Sequence, residues 1–333
     1  MGVKREPDDN RGVPGADPSG EDSFRRSEVY TGPVVRGREV RDGPWSRLVG
    51  LMRSATTSDG ERREAELDVR LADAPPITRT NIVAVVSPKG GVGKTTCTFL
   101  LGNLLASKLR LRVLAVDANR DFGTLASLAP DKVRVDRSLA DLLAEMKHLH
   151  SAAGVLPYVS SMPSGLHLLA APSRPEVMAE MTPGLYDDLL TFLSRYYDMI
   201  LLDLGTGIID PVAQFGIRHA DQTLLITTPE FVTANKVLDS LRYLGPEAGD
   251  GTQTPDAGHI SVVLNRAPAK HSGDRQAIED AFRSLGIARH VVIPYEDRLR
   301  VMLDSATYSL EALPRGTRVP VKQLGLAVAG KLV

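Results

Sequence analysis

One cysteine, Cys97, stands among 333 residues, which excludes an internal disulfide and any cysteine-cluster metal site. Its expected role is a small packed side chain, because buried free cysteines are usually inert. No apolar run is long enough to span a bilayer, so no integral membrane segment is expected. The opening MGVKREPDDNRGVPG lacks the apolar stretch of a secretory signal, and a cytoplasmic protein is expected. An excess of one charge sign is missing too: 40 basic against 41 acidic side chains leave a formal net charge of −1. So even a balance does not favour a strongly DNA-attracting surface. Arginine outnumbers lysine 30 to 10, which reads as coding bias more than as a nucleic-acid signal. No internal repeat is visible.

What the chain has is a glycine loop in an informative place. Ser87 to Thr96 read SPKGGVGKTT directly after the apolar run Ile82-Val83-Ala84-Val85-Val86. Gly90, Gly91 and Gly93 let the backbone turn its N–H groups toward a polyphosphate with no Cβ in the way. Lys94 supplies a charge for the β/γ-phosphates, and Thr95 a hydroxyl for Mg²⁺. The helix opening at Thr96 points its positive end at the anion. Gly90, Gly91, Val92, Gly93, Lys94, Thr95 and Thr96 are therefore the expected nucleotide-binding run, with Mg²⁺ beside the phosphates. The alternative is a glycine-rich turn that binds nothing, which an eight-residue match between strand and helix disfavours. The ordinary pattern wants a glycine separated by four residues from Gly-Lys-Thr, but Pro88 stands there, followed by a second lysine, Lys89.

The chain divides near residue 78. Residues 1 to about 43 are rich in Gly, Pro, Ser and charge, and bury too little to offset the entropy of ordering. Within the 1–78 tail, Trp45, Leu48, Val49 and Met52 recur at helical spacing, predicting a short amphipathic helix near 44–54. A second helix near 59–71 is charged nearly all round and is expected to face solvent, ending before Pro75-Pro76. From 79 to 333 strand and helix alternate, with strands at 81–87, 112–117, 166–171, 199–203, 222–227, 259–265 and 290–293. Helices are expected at 95–109, 185–196, 232–244, 275–285 and 321–332. Near-continuous Val/Ile/Leu strands between amphipathic helices predict an α/β fold, a mostly parallel twisted sheet covered on both faces.

The form Lys-Gly-Gly-Val-Gly-Lys-Thr-Thr resembles the deviant Walker A box of the ParA/MinD family of dimeric ATPases. The resemblance makes Lys89 the signature lysine that reaches the partner subunit's nucleotide. It extends, in order, over residues 80 to about 305. Asp117 matches the first acid of the family's switch I segment at the end of the second strand. Asp203, in Leu201-Leu202-Asp203-Leu204-Gly205, looks like the Walker B acid running into switch II, where a carboxylate holds the Mg²⁺ shell. Thr95, Asp117 and Asp203 are then the metal set. Each acid alone is better read as a strand-end or capping Asp; following a P-loop in one sheet, the functional reading gains. Val262 to Arg266 and Ile293-Pro294-Tyr295-Glu296 resemble the segments that frame the adenine. Asn265 can exchange two hydrogen bonds with a base edge and Arg266 can stack on it, and both can equally be strand-end polar residues. The stretches VDANRDFGTLA, LAAPSRPEVM, LLDLGTGI and VVIPYEDRL look like actinobacterial MinD-like ATPases, some of them associated with type VII secretion.

One departure concerns catalysis. The family's second switch I acid, which orients the attacking water, falls on Asn119, and an amide neither takes a proton nor carries negative charge. Asp121 is the candidate substitute, and slow hydrolysis is expected alongside Lys89, Lys94 and Asp117. The resemblance implies a homodimer with ATP sandwiched at its interface, a protein partner that activates or positions it, and a positional or regulatory switch as output. Alternatives are a ParA-like protein gripping DNA through Arg289, His290, Arg298, Arg300, Arg315, Arg318 and Lys322, and a non-hydrolysing ATP-binding scaffold. The helix from Trp45 to Arg53 reads either as an anchor at the inner face of the cell membrane or as a lid on its own domain. Residues 24 to 53 carry seven Arg against Glu28, Glu39 and Asp42, a net charge of +4.

Overall fold

The computed structural model describes residues 59–120, 123–243, 257–268, 273–287 and 289–330. The amphipathic helix near 44–54, Asp121, and residues 331–332 of the expected closing helix lie outside the described residues. From Thr57 on, the chain forms one compact unit.

That unit begins with helix α1 (Asp59–Ala72) and continues through strand β1 (Asn81–Ser87), α2 (Lys94–Lys108) and β2 (Val113–Ala118). Short helices α3 (Leu139–Glu145) and α4 (Ala152–Val155) precede β3 (Ser160–Ser161) and β4 (His167–Leu169). Next come α5 (Pro175–Ala179), α6 (Pro183–Leu193), β5 (Met199–Thr206), α7 (Pro211–His219), β6 (Gln222–Thr227) and α8 (Phe231–Tyr243). The chain closes with β7 (Ile260–Ala267), α9 (Gly273–Ser284), β8 (His290–Pro294), α10 (Asp297–Asp304) and α11 (Arg315–Ala329).

Among the described residues, eight strands form one sheet in the order β3-β4-β2-β5-β1-β6-β7-β8. All pairs are parallel except the β3–β4 edge. Strand periodicity splits the apolar residues between two faces. In β1, Ala84 and Val86 join one buried cluster while Val83 and Val85 join the other. Leu114 and Val116 oppose Val113 and Ala115 in β2, and Ile200 and Leu202 oppose Met199 and Leu201 in β5, in the same way. A sheet apolar on both faces must be covered on both, as the sequence predicts. β1 sits between β5 and β6, so the loop it feeds is flanked by the carboxyl ends of two strands.

The expectation of a solvent-facing helix near 59–71 is corrected. α1 packs on α11 and α2, with Leu67 and Leu71 buried and Leu71 in a cluster with Leu100, Leu104 and Val321. Its acidic side chains are paired: Glu64 accepts from Arg315 Nε at 3.0 Å, from Lys322 Nζ at 2.9 Å and from Arg318. Asp68 accepts from Lys322 at 2.8 Å. A helix polar on nearly every side is stable here because its charges meet complementary charges, so the compact unit begins some twenty residues before the expected boundary. The same contacts use up much of the basic set considered for DNA, since His290 also pairs with Glu279, and Arg300 with Asp297 and Asp304.

Candidate functional site

β1 ends at Ser87, whose hydroxyl accepts from the Lys89 amide at 3.2 Å and donates to the Lys89 carbonyl at 3.1 Å. Gly91 and Gly93 adopt φ of 75° and 94°, the left-handed region that favours glycine. A Cβ on Gly93 would also fall 2.2 Å from Nδ2 of Asn265. Asn265 is buried and donates to the Val92 carbonyl at 2.8 Å. One of its two amide N–H donors thus braces the loop, which leaves the second N–H and Oδ1 for any further partner. Lys94 opens α2 and is buried, with Thr95 and Thr96 half-buried in the same first turn. The helix N-terminus therefore faces the loop with its partial positive charge.

Beneath the loop lie the two acids. Asp117 and Asp203 are register partners across β2 and β5, and each is 1% exposed. Asp117 accepts from the backbone N–H of Leu125 at 2.9 Å and of Asn119 at 3.3 Å. Thr98 donates to Oδ1 of Asp203 at 3.4 Å, while Oδ2 is buried without a hydrogen-bond partner. Burial holds both carboxyls above their ordinary range. For Asp203 the neighbouring Asp117 charge adds to this, and Thr95, Lys94 and Thr98 oppose it. Two buried carboxylates held above their ordinary range chiefly by burial, one with an orphaned oxygen beside a threonine hydroxyl, suit a hard divalent cation with oxygen ligands.

A cleft of about 370 Å³ opens over the loop, lined by Lys89, Gly90, Gly91, Val92, Glu230 and Arg266 among others. Lys89 is half-buried; its Nζ lies 3.0 Å from Thr233 Oγ1 and 3.5 Å from the Glu230 carboxylate, where β6 passes into α8. Arg266 is exposed and takes φ 55° where the β7–β8 register shifts between Leu264 and Ala267. Pro294 ends β8 opposite Ala267, beside this cleft's β7 wall. Strand ends thus bring the glycine loop, Arg266 and the Pro294 segment to one side of the sheet, with Asn265 beneath the loop at Val92.

Asn119 lies at the end of β2 against β5: a Cβ on Gly205 would sit 3.1 Å from its Oδ1. Arg120 pairs with Asp210 at 3.2 Å, and Asp210 also caps α7. Sequence reasoning missed Thr98, Thr233 and Asp210. Asp210 carried a usable signal, because Asp followed by Pro is a common helix start. The others carried none. Among the described residues, no group of three or more His, Cys, Asp or Glu forms a metal-binding cluster, and no helix is long and apolar enough to cross a membrane. Cys97 is buried as expected, and burial pushes its thiol up to about 12.

Residues 80–242 match the family model described as an AAA domain. The chain is 33% identical over 191 residues to the ESX-1 secretion-associated protein EspI of Mycobacterium tuberculosis. That match covers 56% of this chain but only 27% of EspI, so the chain spans about a quarter of that relative's length. It is 28% identical over 222 residues to the septum site-determining protein MinD of Synechocystis, covering 66% of this chain and 77% of that one. Among solved structures, MinD from Pyrococcus horikoshii, complexed with Mg-ADP, superposes with a TM-score of 0.55 at 22% identity, covering 73% of this chain and 94% of that one. The loop, the paired acids on β2 and β5, and these matches together assign the fold: a P-loop ATPase fold of the ParA/MinD kind, in a chain whose sequence is similar to members of that family.

Proposed function

We propose that the protein is an ATP-dependent dimerising switch that positions or regulates a larger machine. The observation that carries this is the site itself: a glycine loop with Lys89 and Lys94 above two buried carboxylates, one with an orphaned oxygen. Backbone N–H groups from Gly90 to Thr96 and the Lys94 ammonium would hold the phosphates, while Arg266 and the Pro294 segment would border the base. Thr95, Asp117 and Asp203 would hold Mg²⁺, directly or through water, and the ion would neutralise charge on the phosphates. The reaction is ATP and water giving ADP and phosphate, in which positioning and electrostatics do most of the catalysis.

In this reading Lys89 leaves Thr233 and Glu230 to reach the partner subunit's nucleotide, and two chains close over two nucleotides. Dimerisation doubles any weak anchor and so raises avidity without new contacts. An anchor at residues 44–54 would bring the dimer to the inner face of the cell membrane. The machine belongs to the class of secretion, division or partition apparatus; secretion is favoured by the EspI likeness and division by MinD. DNA is the less favoured surface, because Arg315, Arg318 and Lys322 are engaged with α1.

The test is light scattering with and without ATP-Mg²⁺, followed by pelleting with anionic liposomes and with nonspecific DNA. A dimer formed only with ATP, with salt-sensitive liposome binding in that state, supports the reading. A monomer at saturating ATP overturns it, and ATP-dependent pelleting with DNA instead of liposomes moves the protein to the partition class.

A further inference from the structure

An ion pair joins the segments leaving β2 and β5. Arg120 Nη1 donates to Oδ2 of Asp210 at 3.2 Å. The second oxygen of the same carboxylate accepts from the N–H groups of Val212 at 2.9 Å and Ala213 at 3.2 Å, capping α7. One side chain thus fixes the start of a helix and the far end of another strand. Between the two anchor points the backbones nearly touch. A Cβ built on Gly205 would meet Asn119 Oδ1 at 3.1 Å and the Arg120 amide nitrogen at 3.5 Å. Behind them Tyr186 is 1% exposed, and its hydroxyl has no hydrogen-bond partner. A cavity of about 320 Å³ lined by Arg120, Gly205, Thr206 and Asp210 opens alongside.

We propose that the Arg120–Asp210 pair ties these two segments together and holds Asn119 against Gly205, so that Asn119 itself, rather than Asp121, orients the attacking water, with Arg120 and Asp210 as its positioning residues. The inference rests on the hydrolytic reading above. A carboxylate attracts a polarised water by charge even when its geometry is loose, whereas an amide has only hydrogen-bond direction. Direction is useful only if the group is immobilised, because positioning within a fraction of an ångström governs the rate of such reactions. The chain that carries an amide at position 119 also carries, one residue on, a cation fastened to the opposite segment. Gly205 completes the device, since a side chain there would lift Asn119 away.

Asp210→Asn is the informative variant, because asparagine caps a helix as well as aspartate but removes the charge that Arg120 pairs with. Arg120→Gln removes the other charge, and Arg120→Lys keeps a charged donor. Hydrogen exchange of the nucleotide-free protein, melting temperature, ATP affinity and turnover are measured for each. Expected for Asp210→Asn and Arg120→Gln is faster exchange around Asn119 and over 205–210, with melting little changed because a partly exposed pair contributes little to global stability. ATP affinity stays at the parent value while turnover falls about tenfold or more, and Arg120→Lys recovers most of it. Unchanged exchange in both segments overturns the tie. Faster exchange with parental turnover overturns the positioning role, as does a loss that tracks melting temperature and is not rescued by lysine. A parent chain with no turnover instead fails the hydrolytic reading itself and takes the positioning role with it, while exchange still reports on the tie.

Discussion

Replacing Glu64 with glutamine should loosen the first helix of the domain by an amount that depends on pH in a definite way. Glu64 is 8% exposed and surrounded by Arg315, Arg318 and Lys322. The Arg318 hydrogen bond is the largest influence, burial opposes it, and with Lys322 and Arg315 assisting the carboxyl falls from 4.5 to about 2. A depressed value in the folded state means that the stabilisation is complete above about pH 4.5 and is lost as pH falls toward 2. At about 1.4 kcal/mol for each pH unit, the full contribution is about 3 kcal/mol at pH 7, and roughly half of it remains at pH 3. Glutamine mimics the protonated acid, so the Glu64→Gln chain should unfold with about 3 kcal/mol less stability at pH 7, a fall of about 6–12 °C in melting temperature. The gap should narrow by about half at pH 3. Lys322 keeps Asp68, and Arg318 keeps the carbonyls of Glu311 and Leu313 at 3.0 Å, which places the cost at the low end for a broken buried pair. Urea unfolding of both chains at the two pH values decides the matter. A difference under about 1 kcal/mol at pH 7, or one that does not shrink in acid, refutes the assignment of Glu64 as the charge that clamps α1 to α11.

Lys94→Ala should abolish ATP binding, whereas Lys89→Ala should retain some binding but lose the ATP-dependent dimer; a Lys89 variant that dimerises normally by light scattering removes the signature role. Asn265→Ala should weaken ATP binding several-fold by releasing the Val92 carbonyl, since a broken buried hydrogen bond costs about 1–3 kcal/mol, and calorimetric titration reads it directly. Cys97, held at about 12 by burial, should resist alkylation in the folded protein at pH 8 and react fully in denaturant; rapid labelling of the native chain would contradict its place in the core.

The fold class was legible because it rests on local pattern. β1 and β6 occupy 81–87 and 222–227 as their apolar runs predict, and β5 runs three residues past its expected end. α7 was hidden because Gly216 interrupts its helical pattern; that glycine is there to let the helix approach β5, where a Cβ would fall 2.8 Å from Leu204. The β3 edge spans two residues, too few to carry any alternation. In the site, the glycine loop was readable because all its chemistry lies in ten consecutive residues, and the acids because each follows an apolar strand run in the right order. The bond from Asn265 to Val92 joins residues 173 positions apart, and Glu64 meets Arg315 across 251, so no local signal announces either.

The ion pairs on α11 also decide what a shortened protein would do in the test tube. Cut at residue 79, the fragment would keep Arg315, Arg318 and Lys322 but lose Glu61, Glu64 and Asp68, the carboxylates that neutralise them. Three cations would then lie close together on one helix, next to the apolar surface left by Leu67 and Leu71. Such a surface attracts phosphate backbones in low salt. A trimmed preparation that co-purifies with nucleic acid would therefore be reporting the scissile position rather than the biology, and a DNA-binding result carries weight only when α1 is in place.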